Sequence, residues 1–307
     1  MLAWDALSPR LGVGLTSASS PEVWARRLGA GWYLDWRVLP RYPEQKPQHW
    51  QMIRLGRGCI YPRPEAVAWL AARYTGNVWI IGNEPDNPWQ DNVTPEEYAQ
   101  VYHRLYTIIK SADPHASVAV AGVTQATPLR LAYLDRVLSA YQALYGEPLP
   151  ADWWTLHGFV LREERDNWGA GIPAGFPHLS QGRLYSFADG MRVDHFVRQV
   201  WDFRAWMARN GYRHTPLALT EFGILAPSDA YSSQEVADYL QATFSWLASA
   251  TDPQIGLPAD GNRLVQRWAW FSLYDPLYPA SNLGNLPADG LTLAGWTFRR
   301  FALTLGR

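Results

Sequence analysis

With 307 residues, 48% of them apolar, the chain can build one large α/β barrel or two ordinary domains, and a disordered reading is excluded. A formal charge of −1 and a pI near 6.7 leave no basic footprint for nucleic acid. The lone Cys59 excludes an intrachain disulfide and a cysteine zinc site, and no apolar run approaches the roughly 18 residues of a membrane helix.

Strand and helix signals alternate along the chain, with no linker or repeat between them. A first strand is expected over Leu11–Thr16; its Gly12-Val13-Gly14 lacks the third glycine of a phosphate-binding loop. Ser20-Pro21 opens a helix with proline at its first position. Strands follow at Trp32–Val38 and Gln51–Leu55, then a helix over Pro64–Tyr74 and a buried strand at Val78–Ile81. Thr94-Pro95-Glu96-Glu97 reads as a capping box, so Glu96 and Glu97 are explained by helix initiation. Next come a strand at Ser117–Val123, a helix Leu129–Tyr145 stopped by Gly146, and a strand at Trp153–Val160. Residues 161–192 form a long irregular stretch, a length usually reserved for function. A helix Asp194–Asn210, a strand Leu217–Phe222, a helix opened by the Ser232–Glu235 box, a strand Val265–Leu273 and a helix Trp296–Leu303 complete the chain. Eight strands and about eight helices predict a single (β/α)8 TIM barrel with elaborated βα loops, residues 1–307 forming one catalytic domain.

Two of these strands end in glutamate. Val78–Ile81 runs into Gly82-Asn83-Glu84-Pro85-Asp86, and Leu217-Ala218-Leu219-Thr220 into Glu221-Phe222-Gly223. A carboxylate closing a buried strand is costly unless it is hydrogen-bonded or used. At the C-terminal mouth of a parallel barrel it is where catalytic side chains sit. Strands three places apart in an eight-fold barrel face one another across the mouth, so the two carboxylates can converge on one bond. Glycoside hydrolysis needs such a pair. The content of 17 Trp and 16 Tyr suits stacking against sugar rings, although most of these rings are expected in the core.

Gly82-Asn83-Glu84-Pro85 paired with Thr220-Glu221-Phe222-Gly223 resembles glycoside hydrolase clan A, retaining (β/α)8 glycosidases with glutamates after strands four and seven. Trp32-Tyr33-Leu34-Asp35-Trp36 resembles a second-strand motif of the family 128 endo-β-1,3-glucanases. The Gly-Asn-Glu-Pro-Asp context and the His157 strand are similar to families 39 and 128 alike. The resemblance implies Glu84 as acid/base, Glu221 as nucleophile, and Asn83 bonding the sugar 2-hydroxyl. It also implies His157 at the substrate and Trp270 as the floor of the cleaved sugar's subsite, both otherwise core residues. Clan members often carry His-x-Tyr where this chain has His157-Gly158-Phe159, so the hydroxyl that would touch the nucleophile is missing. Arg37 has two readings, a charge-assisted bond to Glu221 or a surface ion pair, and Trp36 beside it is a candidate platform. Asp86 is expected to form an Asx turn. Trp89, Trp168, Phe176, Tyr231 and Tyr274 are candidates for an extended cleft. The remaining histidines show no metal-ligand spacing, so neither cofactor nor metal is expected.

The expected activity is retaining hydrolysis of a β-linked glucan, mannan or xylan, with carbohydrate as partner and neither nucleic acid nor membrane. The alternatives are a carbohydrate-binding barrel without turnover, motivated by Phe159, and another barrel enzyme such as a lyase or metal-assisted hydrolase. Residues 1–20 lack a basic segment followed by an apolar one, which fits a cytoplasmic protein or one whose export signal has been removed.

Overall fold

Period-two apolar runs separated by amphipathic helices fold as parallel βα units in the computed structural model, which describes residues 7–16, 20–56 and 58–305. In chain order these are β1 (Ser8–Gly14), α1 (Pro21–Leu28), β2 (Ala30–Leu34), β3 (Gln48–His49), β4 (Gln51–Gly56), β5 (Cys59–Tyr61), α2 (Pro64–Arg73) and β6 (Val78–Ile81). They continue as α3 (Pro95–Ala112), β7 (Ser117–Val123), α4 (Pro128–Tyr145), β8 (Trp153–His157), α5 (Val193–Arg209), β9 (Leu217–Phe222), α6 (Ser233–Ser249), β10 (Arg267–Trp270) and α7 (Leu293–Leu305). The helix starts are set by local chemistry. Thr94 and Glu97 form a reciprocal capping box on α3, as Ser232 and Glu235 do on α6. α4 ends where Gly146 takes φ +73°.

Among the described residues β1–β10 form one curled sheet in the order β3-β2-β1-β10-β9-β8-β7-β6-β4-β5. Every pairing is parallel except the hairpin of β4 with β5. The two ends of the order come within one residue of each other: β3 pairs with β2, β4 pairs with β6, and only Trp50 separates β3 from β4.

Alternation splits the strand side chains into two layers. Trp32, Leu34, Trp50, Met52, Val78, Ile80, Ala119, Ala218 and Ala269 pack together on the concave side. Tyr33, Trp79, Ile81, Val120, Leu156, Leu219, Trp268 and Trp270 face the helices in the larger outer core. The concave layer fills by size compensation, two stacked indoles (Trp32 and Trp50, centroids 4.6 Å apart) sharing it with three alanines.

Three expected strands are shorter than their apolar runs, β8 among them, which stops at His157. β2 stops at Leu34 because Trp36 turns into the left-handed region at φ +57°. β10 stops at Trp270, leaving Phe271 and Ser272 at the mouth. The two-residue β3, the three-residue hairpin strand β5 and the antiparallel pair Gly284–Asn285 with Gly290–Leu291 are too short to give a periodic signal and were not anticipated. Among the described residues no helix is long and apolar enough to cross a membrane.

Gly12 is required by the concave packing, since a Cβ there would meet the Trp32 indole at 2.3 Å while Trp50 blocks that ring's retreat. Gly12→Ala should lower stability by about 1–3 kcal/mol, read as a lower urea midpoint with an unchanged m-value.

Candidate active site

Two backbone irregularities and one bare glycine bring the site together at the C-terminal ends of the strands. After β6 the chain turns through Gly82 (φ +99°) and Glu84 (φ +43°). A left-handed glutamate costs about 1–3 kcal/mol and persists only where its surroundings hold it. Here the Glu84 amide donates to the Gly122 carbonyl (3.2 Å), and the Asn83 and Leu55 amides both donate to buried Asp91 (2.7 and 2.9 Å). In β9 the register shifts against both neighbours near Thr220. Strict alternation would place Glu221 with Leu217 and Leu219 on the helix side; the irregularity re-aims it into the mouth, as β-bulges do beside active sites. In β8, His157 needs the bare Gly122 next to it, because a Cβ there would sit 2.6 Å from the imidazole.

The result is a close trio. His157 Nδ1 shares a 2.8 Å hydrogen bond with Glu84 Oε1, and His157 Nε2 lies 3.5 Å from Glu221 Oε1. One oxygen from each carboxylate and one ring nitrogen all lie within 4.8 Å of one another. The Asn87 amide donates to Glu84 Oε2 (2.7 Å), and the Trp36 indole N–H donates to Glu221 Oε1 (2.7 Å). All three titratable groups are buried. Burial pushes the Glu221 carboxyl up to about 7; the His157 charge opposes this and the Glu84 charge reinforces it. Burial alone would depress the His157 imidazole, but the Glu221 charge and the Glu84 hydrogen bond and charge outweigh it, and the ring holds its proton above the ordinary histidine range.

Glu84 and Glu221 open into a cavity of about 510 Å³, a size typical of small-molecule sites; His157, expected at the substrate, is buried behind the two carboxylates and does not line it. Glu84, Asn83, Glu221 and Trp36 line it, together with Arg54, Asn87, Phe159, Phe271 and Tyr278. The Asn83 side-chain oxygen is buried there without a hydrogen-bond partner. Trp89 and Trp168, 69% and 43% exposed, stand at its rim. Tyr231 lines the adjoining recess, stacked parallel to Phe187 at 5.8 Å.

The sequence reading needs correction at several positions. Arg37 does not reach Glu221; it is largely exposed and pairs with Asp35 at 2.5 Å, which His49 also holds. Trp270 does not line the cavity. It is fully buried behind β10 against Phe222, Tyr239 and Phe244, because the side-chain alternation runs through Ala269 and delivers Phe271 to the mouth. Asp86 makes no Asx turn; it is an ion-pair partner of the fully buried Arg130 (3.3 Å) and accepts from the Thr124 amide. Phe176 packs under the Arg136 guanidinium, and Tyr274 contributes its carbonyl to the Thr16 hydroxyl; neither lines the cavity.

Asn87 and Arg130 were missed. Asn87 stands three residues beyond Glu84 in the same loop, a spacing that could have flagged it. Arg130 gave no local signal, since its partners are all distant in sequence: Glu163 (3.1 Å), the Asp86 carbonyl (2.6 Å) and the carbonyls of Ala170 and Gly171 (2.6 and 2.8 Å). Among the described residues Glu84, His157 and Glu221 are also the one group close enough to hold a metal ion. The Glu84–His157 contact is already a complete hydrogen bond, so a cation there would have to displace its proton.

The sequence matches no protein-family model, and no curated protein matches it. Comparison with solved structures finds glycoside hydrolase family 128 proteins, a family of clan A. The subgroup I endo-β-1,3-glucanase of Amycolatopsis mediterranei, crystallised with laminarihexaose, is 18% identical, with 95% of this chain and 98% of that one covered at a TM-score of 0.61. The subgroup II endo-β-1,3-glucanase of Sorangium cellulosum is 17% identical over 94% and 97%, TM-score 0.62. The subgroup III curdlan-specific exo-β-1,3-glucanase of Blastomyces gilchristii, in complex with glucose, is 18% identical over 94% and 97%, TM-score 0.61. This chain has their fold.

Two stability measurements follow from the site's electrostatics. Arg130→Ala strands two buried carboxylates and should cost about 3–5 kcal/mol in urea unfolding. Burial raises the Glu221 titration to about 7, so the folded trio retains up to about pH 7 a proton that the unfolded chain releases near the ordinary 4.5. Glu221 therefore lowers stability as pH rises through that window. Glu221→Gln should match the wild type near pH 4 and exceed it by about 1–3 kcal/mol at pH 8.

Proposed function

We propose that the protein is a retaining β-glycoside hydrolase acting on a β-1,3-linked glucan, with Glu84 as acid/base and Glu221 as nucleophile. The observation that carries this reading is the convergence of Glu84 and Glu221 oxygens to within 4.8 Å beside a cavity. Retaining glycosidases hold their carboxyl groups roughly 5–5.5 Å apart, whereas inverting ones need about 6.5–9.5 Å to admit a water between them. The fold neighbours, crystallised with laminari-oligosaccharides or glucose, favour glucan over mannan or xylan. The closed (β/α)8 barrel, with all 307 residues as one catalytic domain, belongs to the same proposal. Trp50 N–H bonds the Tyr33 carbonyl, and Met52 N–H bonds that of Arg37, which supports reading β3 and β4 as one strand that joins the sheet's ends.

The trio supplies a consistent proton inventory. A proton on His157 Nε2 faces Glu221 and favours its ionised form; Nδ1 then accepts from a protonated Glu84. Glu221 attacks the anomeric carbon, and Glu84 passes its proton to the leaving glycosidic oxygen. A covalent glycosyl-enzyme forms. Glu84, now ionised, removes a proton from the water that attacks the intermediate, and Glu221 leaves. Asn83 lines the cavity beside Glu84, and its side-chain amide is assigned to the sugar 2-hydroxyl. Trp89 and Trp168 offer apolar faces to the flanking sugar units. His157 and the raised Glu221 place the acidic limb of the pH–rate profile above the ordinary carboxylate range.

Incubation with laminarin, with mannan and xylan as comparisons, should release new reducing ends from laminarin. Glu84→Ala and Glu221→Ala should each lower turnover by at least about 10³-fold, azide should rescue Glu221→Ala to a glycosyl azide of inverted configuration, and a chelator should leave the wild type unchanged. Hydrolysis surviving in Glu221→Ala overturns the mechanism. Loss with chelator favours a metal held by the trio, and binding without hydrolysis favours a barrel that kept the pocket without turnover.

A further inference from the structure

We infer that Trp36 is the positioning residue of the nucleophile: its indole N–H holds one oxygen of Glu221 and leaves the other free to attack. The word nucleophile rests on the reading above; the contact itself does not. Trp36 Nε1 lies 2.7 Å from Glu221 Oε1, and among the described residues Oε2 accepts no hydrogen bond. Substituents that do this work elsewhere are missing here. Phe159 has no hydroxyl, and the Arg37 guanidinium is turned away to Asp35. The indole is a donor only, so it can bond the ionised carboxylate but can neither take its proton nor supply one.

The surroundings are arranged to bring this ring to this place. Trp36 adopts φ +57°, a conformation bulky residues rarely take. Its backbone is pinned from both sides in sequence, by Asp35 bonded to buried His49 at 2.8 Å and by the Arg37 carbonyl accepting from Met52 N–H at 3.0 Å. Gly14 leaves room for the ring, since a Cβ there would lie 3.0 Å from the indole edge. Phe271 packs on the other side at 5.7 Å, edge to face. A platform for sugar would present a ring face to the cavity and needs no contact with Glu221; here the N–H edge is committed to the carboxylate.

Two replacements separate the hydrogen bond from the ring. Trp36→Phe keeps an aromatic surface, and β-(3-benzothienyl)alanine at the same position keeps the bicyclic shape with sulfur in place of N–H. The titration of Glu221 is followed by carboxyl ¹³C NMR in protein labelled at glutamate, with Glu221→Gln to assign the signal. Both replacements should move that titration to higher pH, because they remove a bond made to the charged form. On laminarin, kcat should fall about 10- to 100-fold with KM little changed, and the acidic limb should shift upward with the titration. An unmoved Glu221 titration in the benzothienyl protein overturns the inference, as does a raised KM at unchanged kcat, which is the signature of a platform. A wild type that hydrolyses no β-glucan removes the glycosidase reading alone, and the titration still decides the contact.

Discussion

Two carboxylates buried side by side repel each other and lose their hydration, and the free-energy cost falls on the folded state unless protons and donors offset it. Glu84 and Glu221 are in that position, and the imidazole between them is the group that makes the arrangement tenable. Its Nδ1 shares a hydrogen bond with Glu84 and its Nε2 faces Glu221, so protons on one ring can offset both carboxylates. Asn87 and Trp36 each add a neutral donor to one carboxylate oxygen. Among the described residues no arginine or lysine is in contact with Glu221; Arg54 acts on it only through its charge, while binding Asp91 directly at 2.8 Å. The trio therefore titrates as a unit, and its protons respond to whatever enters the cavity.

That constraint explains where the backbone departs from regularity. A straight β9 would aim Glu221 at the helices, and a regular extension of β6 would carry Glu84 past the mouth. The bulge and the left-handed turn at Glu84 correct these errors locally, and Asp91 anchors the turn by bonding three groups from two strand ends. Gly122 is the matching concession in β7, a missing side chain where His157 must lie.

Legibility in the sequence follows the range of the interactions. The capping boxes at Thr94 and Ser232 and the Gly146 stop were readable because their partners lie within four residues, and the buried strands because each is a contiguous apolar run. Gly-Asn-Glu-Pro-Asp and Thr-Glu-Phe-Gly were readable because a carboxylate ending an apolar strand is locally anomalous. The faces were harder. Trp268 and Trp270 do share a face, as period two requires, yet nothing local says which face is concave, and the aromatic at the mouth is Phe271. Trp36 and Arg37 were in the right loop, and of Arg37's two readings the structure shows the ion pair, since one left-handed residue decides which of two neighbours looks inward. Arg130, fully buried and bonded only to distant residues, left no trace at all.

Arg130 also determines how the long 161–192 segment relates to the chemistry. Its guanidinium bonds the Ala170 and Gly171 carbonyls on one side, Asp86 on another, and Glu163, which in turn receives the Thr127 hydroxyl (2.5 Å) and the Arg183 amide (2.7 Å). One buried cation thus ties the segment that carries Trp168 to the loop that carries Glu84 and Asn87. A buried, fully bonded hub of this kind gives up several kcal/mol if any arm leaves, because each departing partner strands a charge or a carbonyl. The base of the segment is therefore part of the rigid wall, and freedom to move is left to its exposed stretch, where Trp168 meets Phe187 at 6.2 Å. The Glu84 loop and the cavity rim consequently share one support, so a substitution that loosens the rim is felt at Glu84 through Asp86 and Asn87.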